Sequence, residues 1–114
     1  MRIARTLLLI CSLVASASAN AAVAWIQSTV KFVYPLGDGS FVLGFANDAG
    51  TCTSPQPPPS SKYFYVVAGQ NGVTADGVKA MLATALTAFA TGSSLAAVFD
   101  DATPQCYINR FSMQ

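Results

Sequence analysis

Apolar and polar positions along the chain change period several times, and each change marks an element. From Ala24 to Tyr34 the pattern runs in twos: Val30, Phe32 and Tyr34 alternate with Thr29, Lys31 and Val33, the signature of a half-buried strand. Pro35-Leu36-Gly37-Asp38-Gly39-Ser40 then turns the chain, with Asp38-Gly39 supplying the positive-φ residues of a hairpin. Ser40–Ala46 is a second strand with Phe41, Leu43 and Phe45 on one face, and Asn47-Asp48-Ala49-Gly50 ends it. Aromatic and β-branched residues over Tyr63–Ala68 predict a third strand. Gly69-Gln70-Asn71-Gly72 breaks the period, and a helix follows with Thr74 as N-cap, Asp76 in the first turn and Gly92 as the stop. Val78, Met81, Leu82, Ala85, Leu86 and Phe89 form its predicted buried stripe. Ser94–Phe99 and Cys106–Met113 are the last two strands, joined by the turn Asp100-Asp101-Ala102-Thr103-Pro104. Ile108, Phe111 and Met113 do not share one alternation, which predicts a bulge near Asn109-Arg110.

The order strand, strand, strand, helix, strand, strand is that of the five-stranded OB-like Greek-key barrel, an α+β fold that is mainly β, with one helix between the third and fourth strands. Other α+β arrangements share it.

Ahead of this domain the chain reads differently. Arg2 and Arg5 precede the apolar run Leu7–Ala15, and Ala17-Ser18-Ala19 is a small-x-small cleavage site. Residues 1–19 are therefore expected to be a secretory signal peptide, leaving 20–114 as one secreted or periplasmic domain. The run falls short of the roughly 20 residues a spanning helix needs, so no membrane anchor is expected after cleavage. Cys11 follows Ile10 rather than a small residue and belongs to the discarded core, not to a lipid-attachment site.

That division changes the charge and the cysteine count. Lys31, Lys62, Lys79 and Arg110 face Asp38, Asp48, Asp76, Asp100 and Asp101 in residues 20–114. A slightly acidic domain lacks the clustered cations that nucleic acid or an anionic membrane surface requires. Cys52 and Cys106 remain, and outside the cytoplasm such a pair is expected as a disulfide. Zinc is a poor alternative without a histidine or a third cysteine there. The chain holds no His and no Glu, which removes the commonest general base and every Ser-His or Cys-His arrangement. Asp100-Asp101 is an adjacent pair whose members point opposite ways on a strand and reads as a solvated turn. Asp38, Asp48 and Asp100-Asp101 lack the spacing of a calcium loop. No catalytic residue, metal or cofactor is expected. The stretch Ser54-Pro55-Gln56-Pro57-Pro58-Pro59-Ser60-Ser61 cannot pair in a sheet and is expected as a surface loop of polyproline character.

Met81-Leu82, Leu86-Thr87-Ala88-Phe89-Ala90-Thr91-Gly92, Cys106-Tyr107-Ile108 and Phe111-Ser112-Met113 together resemble a group of small secreted bacterial proteins related to B subunits of AB-type toxins of the subtilase cytotoxin and typhoid toxin kind. The resemblance covers about residues 81–113 and is one of scaffold positions. It implies an OB-like domain, assembly in pentameric rings and binding of host sugars. No sugar-contacting residue of those proteins carries over to a position here.

A sugar site needs aromatic faces with amides and hydroxyls beside them. Trp25, Tyr63, Tyr65 and Tyr107, with Gln70 and Asn71 nearby in sequence, are the candidates. Filling the barrel and its rim is the alternative for the aromatics, and Trp25 is expected to be the most exposed. The outward helix positions Ala80, Ala83, Thr84, Thr87, Ala88 and Thr91 carry no charge, nor does any residue from Ala80 to Phe99. Such a face fits a homo-oligomer packed through helix 74–91, or a monomer with a weakly polar helix. The domain is thus expected to bind a glycan or a protein partner. A structural or accessory envelope protein without a small-molecule ligand is the alternative.

Overall fold

A computed structural model describes residues 23–47, 50–54 and 62–114. The expected signal peptide, Asp48 and the proline-rich stretch 55–61 lie outside the described residues. Five strands and one helix follow in the expected order: β1 (Val23–Pro35), β2 (Phe41–Phe45), β3 (Phe64–Val66), α1 (Ala75–Thr91), β4 (Ser94–Asp100) and β5 (Ile108–Met113). All the pairings are antiparallel, and the sheet order is β3-β2-β1-β4-β5. β1 is long enough to serve two partners. Its first half, Val23 to Thr29, pairs with β4, and its second half, Val30 to Pro35, with β2. The ladder is open, although the Tyr65 N–H donates to the Gln105 carbonyl at 3.1 Å and so joins β3 to the segment leading into β5.

The core lies between the inner face of this sheet and α1. Phe41, Leu43, Phe45, Phe64, Leu95, Phe99 and Ile108 are fully buried there. Phe64 packs edge-on against Phe45 at 5.2 Å and against Phe99 at 5.0 Å, tying three strands together. Thr74 caps α1 by accepting from the Gly77 N–H at 3.0 Å, and Gly92 stops it at φ 70°. In the β1–β2 hairpin Gly39 alone takes positive φ, while Asp38 accepts from the Ser40 N–H and hydroxyl.

Two expectations about faces need correction. The helix meets the sheet along Val78, Met81, Ala85 and Ala88, an i, i+3, i+7, i+10 row. Ala88, expected outward, is buried, and Leu86 and Phe89, expected inward, are 44% and 50% exposed. Small side chains let the helix approach closely, so the alanines make the contact and the larger residues are left outside it. In β1, Val30 faces the core but Phe32 and Tyr34 do not. Val30 pairs with Phe45 and Phe32 with Gly44, so Lys31 is an extra residue, and the alternation reverses beyond it. The expected bulge in β5 is present. Phe99 pairs with Ile108 and Val98 with Arg110, leaving Asn109 over, and Phe111 returns to the core.

Cys52 and Cys106 are joined, with Cα atoms 5.8 Å apart across 54 residues of sequence. Both are buried. Among the described residues no helix is long and apolar enough to cross a membrane.

Candidate functional site

The bulge at Lys31 turns Phe32 and Tyr34 onto the outer face of the sheet. Opposite Phe32 stands Gly44, whose missing side chain leaves a space that the Phe32 ring occupies; a Cβ there would fall well inside van der Waals contact with that ring. Tyr63, just ahead of β3, reaches the same space. Its ring meets Phe32 edge-on at 5.5 Å and Tyr34 edge-on at 6.2 Å, while Phe32 and Tyr34 stack at 4.7 Å. One row along, Tyr34 pairs with Val42 and Val42 with Tyr65, so Tyr65 shares the outer face. Tyr65 in turn meets Tyr107 at 6.4 Å. All four tyrosines of the chain thus gather around one side of β1, β2 and β3.

The segment that carries Tyr107 is held from several sides. The Tyr107 carbonyl accepts from the Asp100 N–H at 2.9 Å and from the Asn71 side-chain amide at 2.8 Å. Cys106, at φ 44°, joins that segment to Cys52 through the disulfide. Among the described residues none of the four phenol hydroxyls has a hydrogen-bond partner, so each can donate and accept outward. Tyr34 is 49% exposed, and Tyr63, Tyr65 and Tyr107 are half-buried.

The candidates divide into groups. Tyr63, Tyr65 and Tyr107 come together on the tyrosine face. Trp25 is 70% exposed, as expected, but it sits in the first half of β1, where it pairs with Val98 of β4. Gln70 is exposed in the turn before α1, and its backbone groups bond Val67 and Val73. Asn71 holds φ 51°, and its side-chain N–H donates to the Tyr107 carbonyl, a structural use of that group. Phe32 and Tyr34 escaped the sequence reading because Val30-Phe32-Tyr34 is an unbroken alternation. The signal that could have found them is Gly44 inside a strand of large apolar residues, since an interior glycine marks a bulge or a close approach.

Flat aromatic faces bordered by hydroxyls stack on apolar C–H surfaces and hydrogen-bond to hydroxyls. Among the described residues no three of His, Cys, Asp and Glu come together as a metal would need. Elsewhere, Asp38 and Lys79 border a cavity of about 290 Å³ at the start of α1. The Ser40 hydroxyl, and after it the Ser40 N–H, hold the Asp38 carboxyl below its ordinary value.

No protein-family model matches the chain, and no curated protein matches it. Among solved structures it is similar to the cholera toxin-like B-subunit from Citrobacter freundii, with 13% identity and a TM-score of 0.54. The match covers 81% of this chain and 84% of that one. At this identity the likeness is one of fold.

Proposed function

We propose that the chain is a secreted, non-enzymatic binding domain of the toxin B-subunit kind, and that its tyrosine face takes a glycan. The observation that carries this is the gathering of Tyr34, Tyr63, Tyr65 and Tyr107 with Phe32 on one side of the sheet, their hydroxyls unengaged among the described residues. A pyranose offers an apolar C–H face to such rings and hydroxyls to their rims. In this reading the sheet closes as an OB-like Greek-key barrel, which the bond from the Tyr65 N–H to the Gln105 carbonyl supports. The domain also self-associates through helix 74–91. The half-exposed Leu86 and Phe89, in a stretch free of charge from Ala80 to Phe99, support that contact.

A glycan array probed with the native protein and with Tyr34→Ala tests the binding. Selective binding by the native protein, weakened about tenfold or more in the variant, is expected, given that one interface aromatic carries upward of 1–2 kcal/mol. Binding that Tyr34→Ala leaves untouched would remove the tyrosine face from the reading. An array without selective binding would leave an accessory protein without a small-molecule ligand. Analytical ultracentrifugation tests the assembly: Leu86→Ser with Phe89→Ser should shift the protein toward monomer.

A further inference from the structure

Beside the segment that carries Tyr107 a cleft of about 360 Å³ opens where Asn109 bulges out of the β4–β5 ladder. Val23, Asn71, Val98, Asp100, Asn109 and Arg110 line it. Arg110 pairs with Val98, and Asp100 lies two residues further along β4, so the two charges stand diagonally on one face of the sheet. Positions in that relation are about 7–8 Å apart, near enough for long side chains to meet. They do not meet. Among the described residues the Arg110 guanidinium has no hydrogen bond or ion pair, and Asp100 uses one carboxylate oxygen, Oδ1, to accept from the Ala102 N–H at 2.8 Å. The Asn71 amide donates to the Tyr107 carbonyl at 2.8 Å, and the Asn109 amide donates to the Asn71 carbonyl at 2.7 Å. Each thereby spends its N–H side, and neither side-chain carbonyl oxygen has a partner among the described residues.

The cleft therefore offers one fork of donors and three unengaged acceptors, one of them charged, beside the apolar walls of Val23 and Val98. We propose that it binds a free α-amino acid as its zwitterion. An ammonium has three donors and no acceptor, which matches Asp100, Asn71 and Asn109. A carboxylate matches the bidentate guanidinium of Arg110. The charge pattern discriminates. An anion gains from Arg110 but faces Asp100, a cation meets the reverse, and a neutral polyol leaves both charges unpaired as it displaces their water. The zwitterion alone satisfies both. Val23 and Val98 make an aliphatic side chain the fitting one. This site goes beyond the glycan reading and does not rest on it.

Isothermal titration of the native protein with L-leucine, N-acetyl-L-leucine, L-leucine amide and methyl β-glucoside tests the proposal. Leucine should bind saturably and about tenfold or more tighter than either blocked form, because each block removes a charge-assisted contact. Arg110→Gln should abolish the advantage of leucine over its amide, and Asp100→Asn its advantage over the N-acetyl form. Arg110 is exposed and Asp100 half-buried, and circular dichroism with intact mass checks that the variants keep fold and disulfide. If a variant fails to fold, the native ligand series decides alone. Leucine no tighter than its blocked forms, or no saturation by about 10 mM, would overturn the proposal. So would glucoside binding that Arg110→Gln weakens, which would make the cleft a sugar site. The leucine series reads this cleft whether or not the tyrosine face takes a glycan.

Discussion

Replacing Gly44 by alanine should destabilise the protein, against the usual sign for a glycine in a strand. A strand glycine replaced by alanine normally gains about 0.5–1 kcal/mol from reduced backbone freedom. Here the added Cβ would collide with the Phe32 ring. That ring must leave the position in which it stacks on Tyr34 and meets Tyr63 edge-on. Forcing an extra carbon into packed surroundings costs about 1–3 kcal/mol, and each aromatic pair disturbed is worth about 0.5–1.5 kcal/mol. The clash is with the far edge of a half-buried ring that can swing outward, so the lower ends of these ranges apply and the net expectation is a loss of about 1–2 kcal/mol, or roughly 4–16 °C in Tm for a domain of this size. Urea unfolding followed by circular dichroism measures it, and the near-ultraviolet tyrosine signal should change in the native state. The decisive arm repeats the substitution in a Phe32→Ala background. With the ring gone the collision is gone, and alanine at 44 should become neutral or stabilising by up to about 1 kcal/mol. An equal loss in both backgrounds would refute the packing of Phe32 on Gly44 and the tyrosine face built around it.

Other perturbations bear on the frame that holds this face. Removing the disulfide as Cys52→Ala with Cys106→Ala should cost about 4 kcal/mol in urea unfolding, from the loop-closure entropy of the unfolded chain; a loss below about 1 kcal/mol would contradict a structural disulfide. Thr74→Ala should cost about 1 kcal/mol, because the Gly77 N–H loses its acceptor, and unchanged unfolding would contradict the cap. Asp38 titrates below its ordinary value of 3.8 in the folded protein. Its contribution to stability is therefore full above pH 3.8 and is lost as pH falls through the lower folded value. An NMR titration should place its midpoint under 3.8, and Asp38→Asn should remove that part of the acid dependence.

Much of the architecture is legible in the residues, and the failures share one cause. The helix ends are written locally: Thr74 has an oxygen to accept with, and Gly92 can take positive φ. The β5 bulge is legible because Ile108, Phe111 and Met113 cannot share a face without it. The bulge in β1 is not, because Val30, Phe32 and Tyr34 alternate without a break. Only the partner strand reveals it, since Gly44 has room for a ring on the outer side. The helix errs similarly. Periodicity directs Leu86 and Phe89 inward with Val78, but close approach to the sheet favours Ala85 and Ala88. Large apolar residues thus reach the surface in both elements, and these are the positions on which the proposed binding and association rest. Of the site, Tyr63, Tyr65 and Tyr107 were legible as aromatics. Their neighbours Phe32 and Tyr34 were hidden by the same register shift.

A crystal structure of the native protein with its tightest array glycan is the most direct measurement. Density for a sugar ring stacked on Tyr34 or Tyr63, within hydrogen-bond reach of the tyrosine hydroxyls, is the expected result. A sugar seated instead beside Trp25 and Arg110, with the tyrosine face bare, would contradict it.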